Sequence, residues 1–80
     1  MNPTYFTLYQ RDECHLCDLA WEVLAEAGVA DFDSVFIDDD AELEQRYGLR
    51  VPVLCRREGA REIELDWPFD VRQVRELGVA

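Results

Sequence analysis

The stretch that decides the fold is Cys14-His15-Leu16-Cys17, in which two residues separate two cysteines. An alternating apolar run over residues 5–9 precedes it and predicts a β-strand. Apolar residues then recur at helical spacing up to Ala27, which predicts an amphipathic helix that Gly28 would end as a left-handed C-cap. A strand that leads into C-x-x-C at the start of a helix is typical of a dithiol redox site.

Composition limits the classes of protein that the chain can belong to. With 80 residues, we expect a single domain over residues 1–80. The formal net charge is −10 and every basic residue is arginine, so we expect no nucleic acid and no membrane as a partner. Three cysteines do not suggest a disulfide framework. Residues 1–4 do not resemble the start of a signal peptide, so we expect a cytoplasmic location.

The middle of the chain predicts a second strand and a second helix. Residues 34–37 are rich in β-formers, and the triplet Asp38-Asp39-Asp40 follows them. The triplet could be taken for a metal site, but we interpret it as a helix cap with a solvated turn. The capped helix would cover residues 41–47, with Leu43 and Tyr47 facing inward, and would end at Gly48.

The last third predicts two strands and a final helix. Residues 51–55 form the third strand, residues 56–60 a turn and residues 61–65 the fourth strand. Asp70 and Gln73 form a variant of the capping box at the start of the last helix. The predicted order is therefore β-α-β-α-β-β-α, an α/β fold with a four-stranded mixed sheet and three helices.

The order of elements, the C-x-x-C after the first strand and the Val51-Pro52 pair resemble the glutaredoxin branch of the thioredoxin superfamily. The resemblance covers essentially the whole chain. The short length and the C-x-L-C form are similar, more narrowly, to small bacterial glutaredoxin-like proteins of uncharacterised function. The resemblance implies a thioredoxin-like (glutaredoxin-type) fold and thiol–disulfide oxidoreductase activity. It also implies a cis Val51–Pro52 bond beside the dithiol, which leaves the backbone N–H and C=O of Val51 free to dock the substrate backbone.

The two cysteines would have different roles in this chemistry. Cys14 lies at the helix N-terminus, where free backbone N–H groups favour negative charge, so we expect it to be the attacking thiol. Cys17 lies one turn further in and would be the more shielded, resolving thiol. Attack by Cys14 gives a mixed disulfide, which Cys17 then resolves. The alternative is a packed pair of cysteines without turnover.

Four further residues are candidate substrate-binding groups. Arg11 stands three residues before Cys14, where glutaredoxins often carry a basic residue, and it would pair with a glutathione carboxylate or favour the thiolate. Arg50 is a second candidate for this role, and a solvated surface charge is the alternative for both. His15 would stabilise the thiolate or relay a proton, unless it is simply an exposed loop residue. Trp67 would line a substrate groove or belong to the core.

Several features leave other functions open. The Gly-Gly that commonly precedes the last helix of glutaredoxins is absent, and Asp12, Glu13 and Asp18 surround the thiol with negative charge. Glutathione as a co-substrate therefore stays open, and we expect no bound cofactor and no metal. We expect a monomer that acts on a disulfide-containing protein or a low-molecular-weight thiol. The alternatives are a redox-sensing or protein-binding module with little turnover, and an iron–sulfur cluster carrier. Cys55 is expected in the core as a small apolar residue, and the alternative is a third redox thiol.

Overall fold

The computed structural model describes residues 4–78, and the order of its elements confirms the predicted β-α-β-α-β-β-α. Residues 1–3, on which the expectation of no signal peptide partly depended, and residues 79–80 lie outside this range. Within the described range, no helix is long and apolar enough to cross a bilayer. The elements are β1 (Thr4–Gln10), α1 (His15–Ala27), β2 (Asp33–Phe36), α2 (Ala41–Tyr47), β3 (Val53–Glu58), β4 (Arg61–Asp66) and α3 (Val71–Gly78).

The strands form one four-stranded mixed sheet in the order β2-β1-β3-β4, which confirms the predicted fold class. Strand β1 is parallel to β2 and antiparallel to β3, and β3 is antiparallel to β4. Strands β1, β2 and β4 therefore end, and β3 begins, at the same edge of the sheet. We call this the dithiol edge; it carries residues 11–14, 37–40, 48–52 and 67–70.

Side chains that alternate along the strands build two cores on opposite faces of the sheet. Leu8 and Leu54 face α1 and α3, where they pack with Ala20, Leu24, Phe69 and Val74. Tyr9 and Val53 point the other way, towards α2, where they pack with Ile37, Tyr47 and Cys55. The ring of Tyr9 stacks on that of Tyr47, with centroids 4.3 Å apart. Helix α2 is thereby fixed on the sheet face opposite to α1.

The helix ends follow the predicted caps. Gly28 ends α1 with a φ of 83°, in the left-handed region that glycine tolerates. The Asp40 carboxylate accepts hydrogen bonds from the N–H groups of the first turn of α2, at 3.0 and 3.1 Å. Asp70 and Gln73 bond each other reciprocally at the start of α3, at 2.8 and 2.9 Å. The acidic triplet thus provides a cap, as predicted.

The predicted bounds of strands β3 and β2 are wrong. Strand β3 covers Val53–Glu58 rather than residues 51–55, and the turn predicted over residues 56–60 shrinks to residues 59–60. The charged residues that suggested a turn are paired within the sheet, since Arg57 bonds Glu62 across the hairpin at 3.1 Å. Strand β2 ends one residue earlier than predicted, so Ile37 lies beyond its end and is fully buried.

Candidate active site

Cys14 is the N-cap residue of α1. Its backbone is extended, and its Sγ accepts a hydrogen bond from the N–H of Cys17 at 3.1 Å. The sulfur therefore occupies the position that a serine or aspartate oxygen usually takes at an N-cap. Just before it, Glu13 has a φ of 53°, which turns the chain from β1 into the helix. Backbone donors at this helix end favour negative charge on the sulfur.

The two cysteines differ in their access to solvent. Their Cα atoms are 5.2 Å apart and their sulfurs are at disulfide distance. Cys14 is half-buried, whereas Cys17 is only 1% exposed. An accessible sulfur with a shielded neighbour is the arrangement that dithiol exchange needs, because the first must meet the substrate and the second must act afterwards.

Val51 and Pro52 lie at the same edge as the dithiol, because the residue that follows them, Val53, pairs with Tyr9 at the end of β1. The peptide bond between them is cis, as predicted, and Trp67–Pro68 is a second cis bond that was not predicted. The N–H of Val51 donates to the carbonyl of Tyr47 at 3.0 Å. This corrects the expectation that both backbone groups of Val51 are free for a substrate, since its N–H is already used.

Arg11 is tied to α2. Its guanidinium forms a bidentate pair with Glu44, one bond of which is 2.9 Å long, and it donates to the Gly48 carbonyl at 3.0 Å. It also lies 3.4 Å from Asp38. The hydrogen bond to Glu44 is the main cause that raises the pKa of Arg11. The role of Arg11 at the thiol or at a glutathione carboxylate stays a prediction. In that role, its guanidinium would have to bind the new partner while it keeps or gives up these contacts.

Arg50 also has partners within the protein. It donates to Glu64 at 2.7 Å and to Asp66 at 2.8 Å, and the hydrogen bonds to Asp66 and Glu64 raise its pKa. Glu64 additionally accepts from the Tyr47 hydroxyl at 2.7 Å. Burial alone would raise the pKa of Glu64, but hydrogen bonds from Arg50 and Tyr47 outweigh burial and lower it. The predicted substrate-binding role of Arg50 stays untested by this arrangement.

His15 and Trp67 lie in contrasting surroundings. His15 is exposed at the first residue of α1, beside Cys14. Trp67 is partly buried, packs against the core below α1 and α3, and meets the ring of Phe69 edge-on at 5.0 Å. The core interpretation of Trp67 thus has direct support, and a substrate contact by its remaining exposed edge stays a prediction.

The sequence did not predict that the end of β2 and the loop after it contribute to this edge. A cleft of about 630 Å³ lies beside the dithiol loop, and Asp38 reaches across to accept the N–H of Asp12 at 2.8 Å. The cleft is lined by Asp12, Glu13, Phe36, Asp38 and Asp39. The parallel pairing of β1 with β2 was the available signal, because the loops after parallel neighbours meet at one edge.

Cys55 lies apart from this chemistry. It is buried between the sheet and α2, where burial raises the pKa of its thiol to about 11, with a further contribution from Glu62. A thiol with so high a pKa is almost fully protonated at neutral pH, and it behaves as a small apolar core residue.

Comparison with known proteins places these features in a family. A model described as "Glutaredoxin-like domain (DUF836)" matches residues 6–77. Target protein XcR50 of Northeast Structural Genomics, from X. campestris, is 60% identical in its X-ray structure, with a TM-score of 0.81 over 94% of this chain and 97% of that one. Its solution structure gives the same identity and TM-score over 95% of each chain. No curated protein matches.

A more distant structure supports the fold alone. A mutant thioredoxin from Halobacterium salinarum has a TM-score of 0.72 at 20% identity, over 95% of this chain and 72% of that one. The chain therefore has the thioredoxin fold, with a cysteine pair at disulfide distance where the first strand leads into the first helix.

Proposed function

Because this chain belongs to the glutaredoxin-like (DUF836) family, we propose that it is a thiol–disulfide oxidoreductase whose working groups are Cys14 and Cys17. One observation carries the proposal: Cys14 is half-buried and its sulfur caps α1 by accepting the N–H of Cys17, while Cys17 itself is buried. A donor aimed at this sulfur stabilises it when it carries the negative charge of a thiolate.

The reaction begins with the reduced dithiol. The Cys14 thiolate attacks one sulfur of a substrate disulfide, the substrate S–S bond breaks, and the released thiolate takes up a proton. The Cys17 thiol then loses its proton and attacks Sγ of Cys14, which expels the second substrate thiol and closes the Cys14–Cys17 bond. Two electrons pass from the protein to the substrate. A low-molecular-weight thiol or another dithiol returns the protein to its reduced form.

The substrate would approach along the dithiol edge. Val51 and Pro52 lie there, and docking of a substrate strand at Val51 would use the carbonyl group, because the N–H is bound to Tyr47. His15 is exposed beside the attacking Cys14 and would exchange protons with its sulfur. We propose that the protein works as a monomer in a reducing cytoplasm, on disulfides of proteins or of small thiols, without a bound cofactor.

Counting released thiols in a single turnover tests this assignment. The pre-reduced protein is mixed with an excess of a small neutral disulfide, and the thiol released per protein is measured together with the protein mass. The wild type should release two thiols and become oxidised. Cys17→Ser should release one and retain an adduct on Cys14, and Cys14→Ser should release almost none. Equal release by Cys14→Ser and the wild type would refute the proposed roles.

A protein-binding or redox-sensing module with little turnover is the second candidate. It is favoured by the pairing of Arg11 and Arg50 with carboxylates of the protein itself, because neither guanidinium stands free to hold an anionic thiol such as glutathione. Multiple-turnover assays distinguish the two candidates. An oxidoreductase should reduce many equivalents of disulfide when a reductant is supplied, with glutathione and a dithiol compared as donors, whereas a sensor should stop after about one equivalent.

A further inference from the structure

Exposed apolar side chains occur at the dithiol edge and next to it. Leu16, between the two cysteines, is 44% exposed, and Phe36 at the end of β2 is 55% exposed. Leu49 is fully exposed and follows Gly48, whose carbonyl is bound by Arg11 at 3.0 Å, so the loop before β3 is held close to the loop that carries Cys14. These side chains come from the first turn of α1, the end of β2 and the loop before β3, and they present apolar surface at the dithiol edge.

The same edge carries carboxylates without a cation. Within residues 4–78, no ion pair reaches Asp12, Glu13 or Asp39, although all three line the cleft beside Phe36. Asp38, also in the cleft, lies at 3.4 Å from Arg11. In a chain of net charge −10, unpaired carboxylates around a cleft give a negative potential beside the loop that leads into Cys14.

We propose that this surface docks a basic segment of a substrate polypeptide, whose lysine or arginine side chains lie on the carboxylates and whose apolar side chains lie on Phe36 and its neighbours. The inference rests on the proposed function and names its substrate class. The surface, hereafter the docking face, consists of Leu16, Phe36 and Leu49 with Asp12, Glu13 and Asp39.

Charge complementarity selects this occupant. The carboxylates repel an anionic tripeptide such as glutathione and attract positive charge. A polypeptide fits better than a small cation, because the apolar side chains are spread over α1, β2 and the loop before β3, and a single small molecule would leave most of them exposed. An arginine side chain would also stack on the face of Phe36 while its charge meets a carboxylate.

Two short peptides test the docking face. Each carries one cysteine in disulfide linkage with neutral 2-mercaptoethanol and the same leucines, but lysines flank the cysteine in one peptide and glutamates in the other. The ratio of their kcat/KM values is normalised to a small neutral disulfide. At an ionic strength of about 0.02 M, the wild type should prefer the lysine peptide by about tenfold or more, and about 0.5 M salt should remove most of this preference.

Matched variants locate the effect. The triple variant Asp12→Asn/Glu13→Gln/Asp39→Asn should lower the preference to about threefold or less. A control triple variant with the same net charge, but with its changes at the end of α1, in the loop after it and at the start of β2, should keep the wild-type preference; its substitutions are Glu26→Gln, Asp31→Asn and Asp33→Asn, all at exposed positions. Equal losses in the two variants would show a general charge effect and overturn the docking face.

Phe36→Ala tests the apolar part. It should weaken the use of the leucine-containing lysine peptide by about fivefold, and it should have little effect on a lysine peptide whose leucines are replaced by serine. Equal effects on both peptides would overturn this contact. Circular dichroism and thermal unfolding of each variant exclude a loss of folding as the cause.

Different results would refute the docking face and the proposed function. If the protein reduces the neutral disulfide but treats the lysine and glutamate peptides alike, the docking face is wrong and the oxidoreductase stands. If no disulfide is reduced, the oxidoreductase is wrong, and binding of fluorescent peptides with serine in place of cysteine still tests the face. Tighter binding of the lysine peptide would support it, and equal binding of both would overturn it.

Discussion

Two groups of carboxylates in this molecule differ in whether an arginine pairs with them. Along β4, Glu62, Glu64 and Asp66 point to the same face, and each lies within salt-bridge distance of an arginine from α2, its following loop or β3. At the dithiol edge, Asp12 and Glu13 have no such partner within residues 4–78. Paired carboxylates hold elements of one fold together, whereas unpaired ones leave their charge available to another molecule.

The two groups of carboxylates also differ in how many parts of the fold they connect. Glu64 joins β4 to α2 and to the loop that follows α2, because it binds Arg46, the hydroxyl of Tyr47 and Arg50. Loss of such a group leaves several donors without an acceptor, at a cost to stability. Asp12 and Glu13 join nothing of comparable extent, and their close like charges repel one another. The comparison predicts that the β4 carboxylates matter for folding and the dithiol-edge carboxylates for recognition.

The largest expected effect concerns Cys55, which lies opposite Glu64, one of the paired carboxylates of β4. Burial raises the pKa of Cys55 to about 11, so iodoacetamide at pH 8 should modify it in the folded protein on the order of a hundredfold more slowly than in urea. Because its folded pKa lies above the unfolded value, its contribution to stability is complete below about pH 8.5 and is lost as the pH rises towards 11. Mass spectrometry of peptides measures the alkylation rate of Cys55 in the folded protein and in urea. Similar rates in the two states would contradict the buried placement of Cys55.

The next largest effect is expected for Glu64→Gln. At pH 7 it should lower the free energy of unfolding by about 1–2 kcal/mol, because charged hydrogen bonds to Arg50 and Tyr47 are weakened. The folded pKa of Glu64 is lowered, so its stabilisation is present above the unfolded carboxyl pKa of about 4.3 and is lost as the pH falls through the folded value. Urea unfolding at pH 7 and below pH 4 should therefore show the difference from wild type shrink in acid.

Glu22→Gln is the control for this substitution. Glu22 is exposed on α1 and has no ion pair within residues 4–78, so its replacement should change the free energy of unfolding by less than about 0.5 kcal/mol. A loss at Glu22 as large as that at Glu64 would mean that net charge, rather than the local hydrogen bonds, governs stability.

The smallest effect is expected for the dithiol-edge triple variant Asp12→Asn/Glu13→Gln/Asp39→Asn. Its free energy of unfolding should stay within about 0.5 kcal/mol of wild type, or rise slightly as repulsion between like charges is removed. Thermal unfolding of the two oxidised proteins, compared in the same buffer, gives this difference. A loss as large as that of Glu64→Gln would remove the distinction between the two sets of carboxylates.

Local patterns in the sequence predicted the parts of the fold that depend on near neighbours. Gly28 ends α1 and Asp40 caps α2, since both features need only a few adjacent residues. The prediction of β3 was wrong because Arg57 was interpreted as a turn residue, although in the sheet it lies opposite Glu62. Charged residues can continue a strand when the neighbouring strand supplies opposite charges, and a linear pattern does not show that register.

The candidate site was predictable in its sulfurs but not in their surroundings. Cys14 and Cys17 were found because four residues of sequence define them. The partners of Arg11 and Arg50 lie 14 or more positions away in sequence, and the packing of α2 against the sheet brings them together. No local pattern therefore indicated which of the many acidic residues each arginine would bind. Whether Phe36 is exposed likewise depends on how the helices pack over β2, and the residues next to it in sequence do not indicate that packing.

Alkylation of the reduced protein tests the central claim most directly, because it shows which sulfur is the nucleophile. A limiting amount of iodoacetamide is added at pH 7, and the labelled cysteine is identified by mass spectrometry. We expect Cys14 to react first and at least about tenfold faster than Cys17 and Cys55, since it is the sulfur at the helix end that solvent reaches. Preferential labelling of Cys17 or Cys55, or equal labelling of all three, would contradict the assignment of Cys14 as the attacking thiol.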